Sequence, residues 1–185
     1  MKRGTPHANR GKGLEELLES FHRYLKNARI ASIAKREVGK IIENNKIIYT
    51  EKQGFDYQGT LRGGLSICIE AKETHEPRLD IKGSGLQEHQ ARELMFNGEL
   101  GAIAGVIWCY KSINPPIKEI YALGHTFLGY FMKNHYGKGK GRRKSIPLDM
   151  IKRHCNRLDL HSIPQYDQLF KEKVDNGKIN PVYRW

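Results

Sequence analysis

The sequence holds only three cysteines, and Cys68, Cys109 and Cys155 are widely spaced with no CxxC pair among them. An odd number so placed excludes a disulfide framework and offers no zinc-ligand spacing. Long hydrophobic runs are missing as well. The longest, Gly101 to Tyr110, is far shorter than the roughly 20 residues a helix needs to cross a bilayer. Met1-Lys2-Arg3-Gly4 is not followed by the apolar core of a signal peptide, so the expectation is a cytoplasmic protein that does not enter a membrane. The glycine-lysine stretches lack the GxxxxGK[ST] pattern that cradles nucleotide phosphates. Acids are the scarcest class relative to their counterpart. Twenty Asp and Glu against 32 Lys and Arg leave a net charge of +12, which favours a polyanion such as nucleic acid. An acidic membrane surface is the competing partner, and charge alone leaves that choice open.

What is present suits one globular domain of 185 residues with 38% hydrophobic content. Residues 1–13 read as a flexible basic arm: Lys2, Arg3, Arg10 and Lys12 occur with no acid, interrupted by Gly4, Pro6, Gly11 and Gly13. Such an arm lies along phosphates or is simply a solvated tail. Residues 14–185 read as a single domain with no repeat and no linker. Leu14, Leu17, Leu18, Phe21 and Leu25 form a helical stripe to about Asn27. Glu15 borders that stripe while Glu16 points nearly opposite, so Glu15 is the acid able to reach a buried site. Two solvated first-turn acids are the simpler alternative.

Arg29 to Ala34 follows as a strand. The near-mirror sequence Ile41 to Ile48 then predicts a hairpin about Asn44-Asn45 that pairs Glu43 with Lys46 and Ile42 with Ile47. It occupies an arm at about 36–53 that either projects or forms a sheet edge. Later segments predict a helix over Leu86 to Asn97 closed by Gly98 and a buried strand over Gly101 to Tyr110. A strand over Glu119 to Leu123 and a helix over Thr126 to Asn134 come next, then short helices over Leu148 to Cys155 and Gln165 to Val174. These describe an α/β fold with a mixed central sheet flanked by helices.

The chemistry concentrates on Leu65 to Thr74, LSICIEAKET. Strand alternation puts Leu65, Ile67, Ile69 and Ala71 on one side and Ser66, Cys68, Glu70 and Lys72 on the other, so an acid and an amine project together at the strand's end. An isolated pair of this kind is commonly a salt bridge. Asp56, however, begins a strand 14 positions upstream, and Gly63-Gly64 turns that strand back. The return brings two carboxylates together, an arrangement that needs a cation between them. Oxygen donors with open water positions suit Mg²⁺, with Mn²⁺ as a substitute, and Lys72 beside the ion can stabilise phosphate charge or hold the attacking water. Gln90 falls on the inward side of its helix, where an amide must find a partner, either in the site or in the core. Far downstream, Lys138, Lys140, Arg142, Arg143 and Lys144 punctuate a glycine-rich stretch that fits a phosphodiester backbone.

Asp56 followed by Glu70-Ala71-Lys72, after the helical acid Glu15, resembles the PD-(D/E)xK nuclease superfamily, with Phe55 in place of the usual proline. The ordered set is more specific. Phe55-Asp56-Tyr57-x-Gly59, Glu70-Ala71-Lys72-Glu73-Thr74, His89-Gln90, the glycine-led strand GAIAGVIW and Gly141 to Pro147 together resemble the RecU-type Holliday junction resolvases over roughly Gly11 to Pro147. The resemblance implies a restriction-endonuclease-like fold and a homodimeric, Mg²⁺-dependent endonuclease of a bacterial or phage-infected cell. Such an enzyme places paired nicks across four-way junction DNA and leaves 5′-phosphate and 3′-hydroxyl ends. Asp56, Glu70 and the Ala71 carbonyl would bind metal, Glu15 would complete the acidic set, and Lys72 and Gln90 would order water and phosphate. Resembling proteins carry a longer stalk before the aspartate, where this chain has only the Arg36 to Gln53 hairpin. The alternatives are a related nuclease acting on another DNA structure and a non-catalytic basic DNA-binding protein.

Overall fold

The computed structural model describes residues 12–36, 40–43, 46–49, 54–159 and 162–171. Most of the basic arm, with Lys2, Arg3 and Arg10, lies outside the described residues, as do Asn44-Asn45 and residues 172–185. Helix α1 (Lys12–Asn27) buries Leu14, Leu18 and Leu25, the stripe its spacing predicts, and His22 falls on the same side. Strand β1 (Ala31–Lys35) starts two residues later than the hydrophobic pattern suggests. Arg29 takes a φ of 57° in the turn out of α1, where the Ile30 N–H bonds the Leu25 carbonyl, so the chain reverses before it extends. Strands β2 (Lys40–Glu43) and β3 (Lys46–Tyr49) pair in the predicted register, with Glu43 opposite Lys46 and Ile42 opposite Ile47.

Next come β4 (Tyr57–Leu61), β5 (Ser66–Thr74), β6 (Arg78–Asp80), helix α2 (Glu88–Glu99), β7 (Ile103–Ser112), β8 (Ile117–Gly124) and helix α3 (His125–Asn134). The order ends with β9 (Ser145–Pro147), helix α4 (Leu148–His154), β10 (Asn156–Arg157) and helix α5 (Tyr166–Leu169). Six strands make the central sheet in the order β1-β4-β5-β7-β8-β10. Its middle pair, β5 and β7, is parallel, and every other pairing is antiparallel. A parallel pair needs a long crossover, and α2 supplies it. The mixed sheet with flanking helices is the restriction-endonuclease-like architecture expected from the sequence.

The two faces of this sheet have separate cores. Ile67, Ile69 and Ile107 pack with Leu14 and Leu18 of α1, whereas Cys68, Val106 and Trp108 pack with Leu94 of α2 and Phe127 and Phe131 of α3. This corrects the half-polar reading of β5: Glu70 is as buried as Ile67, because a strand in the middle of a sheet is covered on both sides. Helix α2 also runs past its expected stop. Gly98 lies inside it, where a methyl group would overlap the His125 ring, and the left-handed residue that ends the turn is Gly101, with φ 92°. At the other end of the chain α5 closes at Leu169, where a helix continuing through Phe170 and Lys171 was expected.

Candidate active site

The β4–β5 hairpin builds the site. Antiparallel register sets Tyr57 opposite Ile69, so Asp56, one residue before β4, lies beside the second half of β5. Its backbone N–H bonds the Ile69 carbonyl at 3.0 Å, and its side-chain Oδ2 accepts the Ala71 N–H at 2.9 Å. A carboxylate thus continues the ladder where the backbone of β4 has run out. Local sequence dictates this: the strand, the Gly63-Gly64 turn and the return strand set Asp56 beside β5, while on its other side its carbonyl accepts the Arg36 N–H at 2.7 Å. Asp56 and Glu70 are brought together as the spacing predicts.

Glu70 points to the α2 face and is completely buried. Its Oε1 accepts from Gln90 Nε2 at 2.8 Å and sits 2.5 Å from Lys72 Nζ. Oε2 is buried without a hydrogen-bond partner among the described residues. Burial and the neighbouring Asp56 charge push the Glu70 carboxyl up to about 7, against the pull of Lys72 and Gln90. Gln90 is aimed by its own helix. Its Oε1 accepts the Gln87 N–H at 3.0 Å, satisfying an orphan donor of the α2 N-terminus, and that fixes the NH₂ toward Glu70. The inward amide has therefore found a partner in the carboxylate of β5.

Asp56 and Lys72 open onto a cleft of about 470 Å³ that Glu15, Ala71, Thr74 and Arg78 also line, while the buried Glu70 is not part of that lining. Glu15 reaches the cleft from α1, but Lys35 Nζ holds its carboxylate at 2.7 Å. Among the described residues no three His, Cys, Asp or Glu side chains are gathered around a common point that could hold a metal ion. Asp56 and Glu70 are therefore adjacent, and Glu15 stands across the cleft in an ion pair. An uncompensated buried oxygen on Glu70, beside a second carboxylate, is nonetheless the environment a hard cation relieves.

The basic stretch is more ordered than its glycines suggest. Lys138, Lys140, Arg142, Arg143 and Lys144 are exposed, yet the Arg143 N–H bonds the His135 carbonyl at 2.7 Å and Arg142 Nη1 reaches the Lys133 carbonyl at 2.7 Å. Beyond it, β9 pairs with β6, and the Ile81 N–H bonds the Lys144 carbonyl at 2.8 Å. Because Arg78 and Asp80 of β6 line the cleft, a two-stranded ladder ties the cationic loop to the cleft rim. Tyr136, at the base of the loop, donates to Glu88 on the first turn of α2 at 2.9 Å.

The family model of recombination protein U, RecU, matches residues 9–171 of this sequence. The chain belongs to the RecU family. A protein named Holliday junction resolvase RecU, from Geobacillus sp. (strain WCH70), is 28% identical over 174 residues, which cover 88% of this chain and 82% of that protein.

Sequence reasoning missed part of the rim of this RecU-family cleft. Glu73 pairs with Lys111 at 2.7 Å, and His75 Nδ1 donates to the Lys111 carbonyl at 3.2 Å. Both contacts depend on the parallel β5–β7 register, which sets Glu73 opposite Cys109, and no local pattern reports a pairing across an intervening helix. His22 was missed as well. It is 4% exposed and meets the Tyr166 hydroxyl at 2.8 Å, and its place on the α1 apolar stripe was the available signal.

Proposed function

We propose that this chain is a structure-selective endonuclease that resolves four-way DNA junctions by paired, metal-dependent phosphodiester hydrolysis. The observation that carries the reading is the buried Glu70 carboxylate, with one oxygen held by Lys72 and Gln90 and the other without a partner, beside Asp56, in a RecU-family chain. Asp56, Glu70 and the Ala71 carbonyl would hold a divalent cation, with Glu15 completing the acidic set. Oxygen donors favour Mg²⁺, and Mn²⁺ would serve in its place. When bound, such an ion supplies Lewis-acid polarisation of the phosphate and a water of lowered pKa. The protein's own groups do the rest. Lys72 neutralises charge on the phosphate and holds the attacking water against it, and Gln90 fixes the orientation of the buried Glu70 carboxylate. In-line attack of water on phosphorus breaks the P–O3′ bond, leaving a 5′-phosphate and a 3′-hydroxyl.

Lys138, Lys140, Arg142, Arg143 and Lys144, with Lys2, Arg3, Arg10 and Lys12 of the basic arm, would neutralise phosphates along the arms of the junction. Two symmetric cuts need two equivalent sites, so the working species is a homodimer. The described residues contain no helix long and apolar enough to cross a membrane, and the reading places the enzyme in the cytoplasm of a bacterium or a phage-infected cell. The domain plan is one nuclease domain over residues 14–185, with the basic arm before it.

The test is cleavage of a mobile four-way junction against linear duplex, with and without Mg²⁺. Junction-selective, metal-dependent nicking that is lost in Glu70→Gln and Lys72→Ala, with junction binding retained, supports the reading. Equal cutting of both substrates assigns the nuclease to another DNA structure, and no cutting with any divalent ion leaves a DNA-binding protein.

A further inference from the structure

Hairpin turns between long strands ordinarily carry glycine, asparagine or aspartate, which meet the turn's backbone geometry and face water at no cost. The turn between β7 and β8 has one such residue, Asn114, but sets it among apolar side chains. It reads Ile113-Asn114-Pro115-Pro116-Ile117, and Ile113 is 83% exposed and Ile117 38% exposed. The base of this apolar tip is cationic. Lys111 and Lys118 stand opposite each other in the ladder, one residue outside the Ser112–Ile117 pair. Like charges directly opposed destabilise a hairpin. Glu73 neutralises Lys111, and Lys118 has no ion-pair partner among the described residues.

The tip is also anchored beside the cleft. Strand β7 outruns β5, whose last residue Thr74 pairs with Tyr110, and the cleft-lining His75 clasps the Lys111 carbonyl. Lys72 lies opposite Trp108, five residues before Ile113. At about 3.3 Å per residue that separation is roughly 17 Å, the rise of about five base pairs.

Exposed isoleucine and proline on a rigid ribbon, flanked by lysines at the edge of a nucleic-acid cleft, have the chemistry of a side chain that enters a base stack. We propose that the β7–β8 tip is an apolar wedge that inserts between neighbouring bases of the DNA held over the cleft, with Ile113 as the inserting residue. Lys118, the cation of the pair that Glu73 does not neutralise, then faces a phosphate beside the opened step. Inserting an apolar group unstacks one step at a cost of a few kcal/mol and kinks the duplex, and the bend returns contacts along the protein surface. The proposal rests on the nuclease reading above.

The experiment uses the full chain and a four-way junction carrying 2-aminopurine at successive positions on either side of the cut, with fluorescence read in a buffer without Mg²⁺. Wild-type protein is expected to raise the fluorescence of one position about twofold or more, and Ile113→Ser to abolish that rise. With Mg²⁺, Ile113→Ser is expected to cut a fully paired junction about tenfold more slowly, a deficit that shrinks when the same step is left mismatched. Ile113→Trp, which keeps an apolar wedge, is expected to retain the fluorescence signal. The residue is exposed, so neither change threatens folding. Wild-type cleavage with equal fluorescence and equal rates in Ile113→Ser would overturn the wedge and leave the nuclease reading intact. Absence of wild-type cleavage on every substrate overturns the nuclease reading and the wedge with it.

Discussion

Replacing His22 by leucine should change the acid stability of this protein in a way that distinguishes burial from hydrogen bonding. His22 lies between Tyr57, met edge-on at 5.0 Å between ring centroids, and the Tyr166 hydroxyl at 2.8 Å. Burial lowers its pKa from 6.5 to about 4, and burial also raises both tyrosines, so neither neighbour offers a charge to an imidazolium. Between those two values the unfolded chain binds a proton that the folded chain refuses. Stability is therefore complete above pH 6.5 and falls as the pH drops toward 4. At 1.36 kcal/mol per pKa unit, the loss approaches about 3 kcal/mol. His22→Leu removes that slope but strands the Tyr166 hydroxyl, at a cost of about 1–2 kcal/mol. The variant should be less stable than wild type at pH 7.5 and more stable at pH 4, with the curves crossing near pH 5.5 by linkage. Adding Tyr166→Phe should recover most of the neutral-pH loss. Urea unfolding at half-unit pH intervals measures all of this, and other titrating groups cancel in the difference. Parallel stability curves for wild type and His22→Leu would refute the reasoning. The outcome bears on the cleft, because His22 ties α1, the helix that carries Glu15, to α5.

Three further variants probe other parts of the fold and site. Gln90→Leu removes both the clamp on Glu70 and the bond to the Gln87 N–H, so it should lower stability by about 1–2 kcal/mol and slow cleavage by about ten- to a hundredfold, read by thermal unfolding and single-turnover kinetics. Alanine at Lys138, Lys140 and Lys144 together should leave stability within about 0.5 kcal/mol. It should reduce the slope of log affinity against log salt by about 2–3, measured by DNA titrations at several salt concentrations. Gly98→Ala forces a methyl group into the His125 ring, so α2 and α3 must separate, at a cost of about 1–3 kcal/mol by urea unfolding.

Local periodicity carried much of this structure. The α1 stripe, the Glu43–Lys46 register, the Asp56 hairpin and the inward turn of Gln90 each follow from spacing within a few tens of residues. What the sequence concealed depends on contacts between distant segments. Glu70 reads as part of a polar face until α2 covers it, and Gly98 reads as a helix stop until His125 arrives against it. Glu15 bordered the apolar stripe as expected, but its ion pair with Lys35 needs β1 beside α1, which no helical wheel shows. The glycine-rich cationic stretch reads as flexible because part of its restraint, the bond from the Ile81 N–H to the Lys144 carbonyl, comes from more than fifty residues earlier.

That restraint has a consequence for how such an enzyme can diverge. The lysine charges of the loop sit on side chains, whereas its tie to the cleft rim runs largely through main-chain bonds between β9 and β6 that depend little on side-chain identity. Under the proposed reaction, the strength of the grip on DNA and the phosphate delivered to Glu70 are separable traits. Exchanging lysines for neutral residues weakens the hold without moving the cut, while inserting or deleting a residue between Arg143 and Ser145 shifts the point of cleavage and leaves the charge unchanged. A lineage could tune the first freely and the second only in whole-residue steps.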